Sequence, residues 1–196
     1  MKDKKIKYFV VSLPRTGTST ICKMSEIVGK KWSHAPVSRY ENLIKNSSKN
    51  FFSDTPIFNP NVIREIISYE DIDSKFIFID RDFNQVYNSW VNCGLYRNYS
   101  MMYNKSINDI NMSNSQKFDF KNYNESFLNK RLNEKTYKKV FETHKSTVIN
   151  LVKDNNKDLL IYRLNEGWDK FCDFLEVSIP DKEIPWLNKG KMFDKI

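Results

Sequence analysis

The sequence predicts a three-layer α/β domain with a mainly parallel central sheet. Short apolar runs of strand length recur along the 196 residues, and segments with apolar residues at three- and four-residue spacing separate them. Polar clusters directly follow two of these runs. Alternating strands and helices are typical of parallel sheets, in which ligands bind beyond the carboxyl ends of the strands. The length and apolar content fit a single domain over residues 1–196.

The first unit is a strand, a loop and a helix. Residues 6–13 form a nearly continuous apolar run, rich in β-branched and aromatic residues, that ends at Pro14. This pattern indicates a strand buried on both faces. Apolar residues then recur at helical spacing over residues 18–28, and Gly29 is a natural stop for that helix.

Two helices and a short strand are predicted next. The periodicity indicates a helix over about residues 37–45 and another over about 59–69. Phe51 and Phe52 lie between them and indicate a short strand.

The second long buried strand is predicted at residues 76–79, which read Phe-Ile-Phe-Ile. It ends in the polar triplet 80–82. A helix with Val86 on its apolar face follows, and Gly94 is its expected end.

The remaining chain contains a variable region and a closing unit. Residues 96–133 are rich in Asn, Ser, Tyr and Met with little periodicity, so we expect loops and helices that could form a lid. A helix over about 134–153, a strand over 158–162 and a helix through Trp168 follow. The tail, residues 180–196, is predicted to be irregular.

The composition narrows the class of function. Thirty-two Lys and Arg against 24 Asp and Glu give a net charge of +8, which favours an anionic partner such as a nucleotide, a sulfated sugar, a nucleic acid or a lipid headgroup. The basic residues are spread along the chain and offset by acids, which argues against nucleic acid. No apolar run is long enough for a signal or membrane helix, so we expect a soluble, cytoplasmic protein.

The cysteines and histidines argue against a metal site. Cys22, Cys93 and Cys172 lie far apart and form no Cys-x-x-Cys pair, which disfavours both a disulfide scaffold and a zinc site. His34 and His144 are the two histidines of the chain, too few for a site with several His ligands.

Residues 12–20 have the composition of an oxyanion-binding loop. Gly17 allows close approach of the backbone to a ligand, and Arg15 adds a fixed positive charge. Kinase and ATPase loops need a second Gly and a Lys that are missing here. The simpler alternative is a capped helix with an incidental Arg. The hydroxyl side chains of the loop are those of Thr16, Thr18, Ser19 and Thr20.

Residues 14–19 resemble the first motif of the P-loop sulfotransferases, Pro-Lys/Arg-x-Gly-Thr-Thr/Ser. In that family the loop binds the 5′-phosphosulfate of 3′-phosphoadenosine-5′-phosphosulfate (PAPS). A second motif of the family pairs an Arg at a strand end with a Ser eight residues later, both on the 3′-phosphate. Arg81 and Ser89 have this spacing. The resemblance implies a sulfotransferase-like fold over nearly all of the chain except about 96–133.

The end of the chain extends the resemblance, and two residues depart from it. Residues 160–181 and 184–188 resemble the closing strand, helix and tail of a small sulfotransferase subfamily, where their role is packing. Arg15 stands where many relatives have Lys, and Phe83 replaces a frequent Pro. Lys189 resembles a late basic element that contacts the 3′-phosphate in some branches, although a solvated Lys is an equal alternative.

Asp54 and His34 are the candidates for a general base, each two residues before a Pro. In the cytosolic branch of the family a catalytic His has that position, and other branches use an acidic residue. Asp54 is the first choice, with a turn cap as its alternative role. A lone His such as His34 is often structural. His144 falls in a Lys-rich helix and is not expected to take part in chemistry.

The resemblance implies transfer of the sulfuryl group of PAPS to a hydroxyl or amine of a small-molecule or saccharide acceptor, without a metal. Arg15 would stabilise charge on the departing phosphate. The alternatives are another P-loop nucleotide-dependent transferase or kinase, a catalytically degenerate sulfotransferase fold, and a nucleic-acid-binding protein. The sequence predicts neither the acceptor nor the oligomeric state.

Overall fold

The structure is a computed structural model that describes residues 4–34, 40–54, 56–92 and 134–187. One five-stranded sheet lies at its centre, with strand order β2-β3-β1-β4-β5 and parallel pairing throughout. The strands are β1 (Lys5–Val10), β2 (Trp32–His34), β3 (Phe51–Ser53), β4 (Ile72–Ile79) and β5 (Leu159–Tyr162).

Six α-helices accompany these strands in the described part of the chain, and a short 3-10 helix (Leu164–Glu166) follows β5. The α-helices are α1 (Thr18–Ile27), α2 (Tyr40–Asn46), α3 (Pro60–Ile67), α4 (Phe83–Asn92), α5 (Glu134–Asp154) and α6 (Asp169–Leu175).

The helices cover both faces of the sheet. Side chains alternate along β1, so Phe9 packs with α2, α3 and α5 on one face, whereas Tyr8 and Val10 pack with α1 and α6 on the other. All three side chains are at most 2% exposed, as a central parallel strand requires. The predicted three-layer α/β fold with a parallel sheet is confirmed.

The backbone pairing between β1 and β4 ends where the loop after β1 begins. The backbone N–H of Val11 still donates to the Ile77 carbonyl at 2.9 Å. One residue later the Ser12 hydroxyl accepts from the N–H of Ile79, so a side chain takes the place of the strand ladder. The chain therefore leaves the centre of the sheet at its carboxyl edge, where ligands of parallel sheets bind.

Several element boundaries differ from those expected. β4 begins at Ile72, four residues earlier than predicted, and β2 was not predicted because three residues give no readable period. The helix expected from residue 37 is seen from Tyr40. Gly94 and the expected lid, 96–133, lie outside the described residues. Within the described ranges, no helix combines the length and apolarity that crossing a membrane needs.

Candidate active site

Loop 12–20 leaves β1, the middle strand, and enters α1 at Thr18. The φ angles of Arg15 (71°) and Gly17 (120°) lie in the left-handed region, which is strained for a side chain such as that of Arg15. A Cβ atom on Gly17 would lie 2.5 Å from Leu164 Cδ1. The backbone angle therefore favours glycine, and a Cβ atom here would also displace the end of the Leu164 side chain, which follows β5.

Arg15, Arg81 and Ser89 meet at this loop. Arg15 Nε donates to Ser89 Oγ at 3.2 Å, and an Arg81 guanidinium N–H donates to the Arg15 carbonyl at 2.9 Å. Burial, and then repulsion by Arg15, lower the pKa of the Arg81 guanidinium, with Asp82 acting in the opposite direction. An anion between the two guanidinium groups would remove this repulsion.

Besides Ser12, three residues of loop 12–20 have hydroxyl groups with protein partners. Thr16 Oγ1 donates to the Leu13 carbonyl at 2.7 Å, and Thr18 Oγ1 donates to Asp54 Oδ2 at 3.3 Å. Thr20 Oγ1 accepts from the N–H of Leu187 at 3.2 Å.

The N-cap of α1 is Gly17, which has no side chain that could cap the first turn. The first N–H groups of an α-helix have no partner within the helix. Ser19 is half-buried within that turn. Contacts of this loop to an anion would come mainly from these backbone groups and from Arg15.

A cavity of about 810 Å³ lies beside the loop. Its wall is formed by the loop, the end of β4, the start of α4, one side of α5, the segment after β5 and the tail. Positive and negative side chains both reach it. The cationic lining residues are Arg81, Lys138, Lys145 and Arg163, and the acidic ones are Asp80, Asp82 and Glu142.

Asp80 joins three elements around this cavity. Its Oδ1 accepts from Lys145 Nζ on α5 at 2.5 Å, and its Oδ2 accepts from Arg163 after β5 at 2.9 and 3.0 Å. Burial favours the neutral acid, but the hydrogen bonds from Lys145 and Arg163 outweigh it and lower the pKa of Asp80. The sequence marks Asp80 as part of a polar triplet, whereas its partners follow 65 and 83 residues later.

His34 and Asp54 lie side by side at the ends of β2 and β3. His34 Nε2 is 3.3 Å from Asp54 Oδ2, and the exposed fractions of the two side chains are 30% and 16%. His34 Nδ1 is 2.9 Å from Ser53 Oγ. Asp54 has a φ of 67°, and its carbonyl accepts from the N–H of Ile57 in the following turn. The two candidate bases are therefore in contact, and the backbone carbonyl of Asp54 also takes part in the turn that follows it.

The contacts of Ser53, His34 and Asp54 have the order of a nucleophilic triad, but burial excludes that chemistry. Ser53 is fully buried, and its Oγ lies 2.9 Å from Cys22 Sγ. Burial raises the pKa of the Cys22 thiol to about 12, which keeps it protonated and unreactive. The partly exposed side chains of this cluster are those of His34 and Asp54.

A comparison with protein-family models matches residues 63–193 to the sulfotransferase domain, over more than half of the chain. The chain belongs to the sulfotransferase family. The matched range contains Arg81, Ser89 and the Asp80 cluster, whereas loop 12–20, His34 and Asp54 precede it. A search of curated proteins found no match.

His144 has a structural place in this sulfotransferase. Its Nε2 lies 3.0 Å from the carbonyl of Val11, and its ring contacts Phe58 and Phe78. Burial lowers the pKa of His144 to about 4, so the ring is neutral at pH 7 and donates through Nε2. Because Val11 immediately precedes loop 12–20, the hydrogen bond from His144 helps to fix the position of the chain where the loop begins.

Lys189, the last residue expected to contact a phosphate, lies outside the described residues. Among those that the structure does describe, no group of three or more His, Cys, Asp or Glu side chains could hold a metal ion.

Proposed function

We propose that this sulfotransferase uses PAPS as donor and transfers the sulfuryl group to a hydroxyl or amine of a small-molecule or saccharide acceptor. The meeting of Arg15, Arg81 and Ser89 at loop 12–20 carries this proposal. These residues come from the two motifs that resemble the phosphate contacts of P-loop sulfotransferases. Their contact supports a single anion-binding centre at the carboxyl edge of β1 and β4.

The residues present fit a nucleotide that carries two anionic groups, one at the 5′ position and one at the 3′ position. The backbone donors of α1 and the charge of Arg15 suit a 5′-phosphosulfate, and Arg81 with Ser89 suits a 3′-phosphate. The repulsion between the guanidinium groups of Arg15 and Arg81 is what an anion would offset. The cavity of about 810 Å³, which Gly17, Thr20 and Arg81 help to line, offers room for the nucleoside beside this centre.

Bound PAPS supplies an activated sulfuryl group: its bond to the 5′-phosphate oxygen breaks as the bond from sulfur to the acceptor atom forms. The guanidinium group of Arg15 stabilises charge on the departing phosphate. The proton of the acceptor goes to Asp54 or His34 as the new bond forms.

Asp54 is well placed for this proton transfer because it is joined to the loop. Thr18 Oγ1 donates to Asp54 Oδ2, the same oxygen that lies 3.3 Å from His34 Nε2. A base attached to the first turn of α1 stays at a fixed distance from an anion held there. Asp54 accepts the proton, and His34 and Thr18 orient its carboxylate.

Calorimetric titration with 3′,5′-adenosine bisphosphate and, separately, with ATP and Mg²⁺ tests the proposal. The wild type should bind the bisphosphate selectively. Arg15→Ala and Arg81→Ala should each weaken this binding by about 10- to 150-fold, the loss of a hydrogen bond between charged groups. Arg64→Ala is the matched control, since exposed Arg64 on α3 contacts Asn61. Preference for ATP, or no binding, contradicts the proposal.

A further inference from the structure

A buried hydroxyl group lies beside the two candidate bases. Ser53 ends β3, directly after the buried Phe51 and Phe52, and is itself fully buried. Burial of a hydroxyl group costs free energy unless the group is hydrogen-bonded. Ser53 Oγ has two contacts of 2.9 Å, to Cys22 Sγ and to His34 Nδ1. The sulfuryl transfer proposed above gives Ser53 no role, although Ser53 contacts one of the two bases.

The Cys22 thiol determines the direction of the Ser53 hydroxyl. Burial raises the pKa of Cys22 to about 12, so its proton stays on sulfur at pH 7. The thiol can then donate to Ser53 Oγ, which leaves the single proton of the hydroxyl for His34 Nδ1. A neutral ring that accepts at Nδ1 carries its own proton on Nε2. That nitrogen lies 3.3 Å from Asp54 Oδ2 and donates to the carboxylate.

The other neutral tautomer of His34 would oppose two acceptors. With the proton on Nδ1, the lone pair of Nε2 would face the carboxylate oxygen of Asp54 at 3.3 Å. For a neutral ring, the three contacts are all satisfied when the donors point from the Cys22 thiol towards the Asp54 carboxylate.

We propose that Ser53 is a positioning residue for the general base, because it holds His34 in the tautomer whose Nε2–H points to Asp54. The inference rests on the proposed function, in which Asp54 accepts the proton of the acceptor. Thr18 Oγ1 donates to the same carboxylate oxygen at 3.3 Å, so donors from α1 and from β2 together fix the position of that oxygen. Since Ser53 is fully buried, it acts through His34 and touches neither the nucleotide nor the acceptor.

NMR of the imidazole nitrogens tests the tautomer without any acceptor. The chain has two histidines, so His144→Gln identifies the resonances of His34. At a pH above the titration of His34, the wild type should carry the proton on Nε2, and Nδ1 should have the chemical shift of a nitrogen that accepts a hydrogen bond. Ser53→Ala removes this donor and should move the Nδ1 resonance. A proton on Nδ1 in the wild type, or an Nδ1 resonance that Ser53→Ala leaves in place, would overturn the inference.

Steady-state kinetics with a panel of hydroxyl and amine acceptors tests whether Ser53 acts through the base. Ser53→Ala should lower kcat by about 2- to 10-fold, which corresponds to the loss of one hydrogen bond, and leave KM within about twofold. In the Asp54→Asn background the same substitution should lower kcat no further, because an effect that passes through Asp54 is already lost. An equal loss in both backgrounds would show a purely structural role and overturn the inference.

Ser25→Ala is the matched control. Ser25 is also fully buried, and its hydroxyl donates to the Cys22 carbonyl at 2.7 Å within α1. This variant should lower the urea midpoint of unfolding as Ser53→Ala does, but leave kcat and the Nδ1 resonance of His34 as in the wild type. A wild type that turns over no acceptor would count against the proposed function, whereas the NMR comparison still decides whether Ser53 places the proton of His34.

Discussion

Two groups of residues beside loop 12–20 are held by different interactions. We call them the cavity side, around Asp80, and the base side, formed by His34 and Asp54. On the cavity side, Asp80 holds Lys145 and Arg163 by ion pairs that span 65 and 83 residues of chain. On the base side, His34 and Asp54 belong to a cluster of contacts of 2.9–3.3 Å between adjacent strands. Asp80 offsets positive charge collected from distant parts of the chain, whereas the contacts of Asp54, the base of the proposed function, orient a single carboxylate.

Asp54→Asn should impair proton transfer on the base side without affecting the cavity side. We expect it to have the largest effect of the variants described here. The amide keeps the size of the carboxylate but cannot take up the acceptor proton, so we expect kcat to fall by about 100- to 10,000-fold. The affinity for 3′,5′-adenosine bisphosphate should stay within about threefold of the wild type. Steady-state kinetics with a panel of hydroxyl and amine acceptors, together with calorimetry, measures both quantities.

His34→Asn is the companion variant to Asp54→Asn. A smaller loss of kcat than in Asp54→Asn is expected if His34 orients Asp54. The reverse order of the two losses would make His34 the base. A wild type that binds the nucleotide but turns over no acceptor would instead identify a degenerate sulfotransferase.

His144→Gln should show how much of the pH dependence of the free energy of unfolding comes from His144 and not from the base side. The folded pKa of His144, about 4, lies below the unfolded value of about 6.5, so the unfolded chain binds more protons between these values. The associated stability is complete above pH 6.5 and is lost as the pH falls towards 4, by about 3 kcal/mol.

Urea unfolding at pH 7 and pH 4.5 should therefore show a smaller decline in the His144→Gln variant than in the wild type. Gln can still donate to the Val11 carbonyl, which limits the cost at pH 7. An equal decline in the two proteins would refute the assignment of the acid sensitivity to His144.

Asp80→Asn should weaken the ion pairs that hold the cavity side together. It removes the charge that Lys145 and Arg163 share, and we expect the free energy of unfolding at pH 7 to fall by about 1–3 kcal/mol. Because the folded pKa of Asp80 is lowered, this stability is present above its unfolded value of about 3.9 and is lost as the pH falls below it. The difference between wild type and variant should therefore narrow below pH 4 in chemical unfolding experiments.

Glu41→Gln is the control for Asp80→Asn, since it breaks the exposed pair of Glu41 with Lys45 on α2. It should cost at most about 0.5 kcal/mol. An equal cost in the two variants would show that the Asp80 ion pairs do not stabilise the cavity side.

Gly17→Ala should produce the smallest of these effects, at the boundary between the two sides. The φ of 120° and the nearby Leu164 side chain both oppose a Cβ atom, so we expect a loss of about 1–2 kcal/mol. Gly29→Ala is the control, with a φ of 82° and no atom within 4 Å of the added Cβ. Nucleotide binding should weaken in Gly17→Ala and not in Gly29→Ala; the opposite pattern would separate Gly17 from the anion site.

Local features of the fold and of the cavity side could be predicted from sequence. Apolar runs identified β1 and most of β4, because strands buried on both faces have no polar positions. The eight-residue spacing of Arg81 and Ser89 brings both side chains to Arg15, since Arg81 follows β4 and Ser89 lies on α4, the next helix.

Features that depend on pairing between distant segments could not be predicted. The register that pairs His34 with Ser53 places His34 next to Asp54, and no local pattern reveals it. This is why the two residues looked like rival bases in the sequence. The left-handed backbone angles of Arg15 and Asp54 could not be predicted either. Tertiary contacts impose these angles on residue types that do not prefer them.

The central place of β1 has a consequence for synthesis on the ribosome. Tyr8 pairs with Phe51 on one side and with Lys75 on the other, so the first strand to emerge waits for both neighbours. Until then its apolar faces are open to chaperones and to aggregation. Arg81 emerges later still, so the anion site proposed at loop 12–20 is complete only after β4 has been made. A ligand of that site would therefore protect the finished protein from proteolysis and would have little influence on the nascent one.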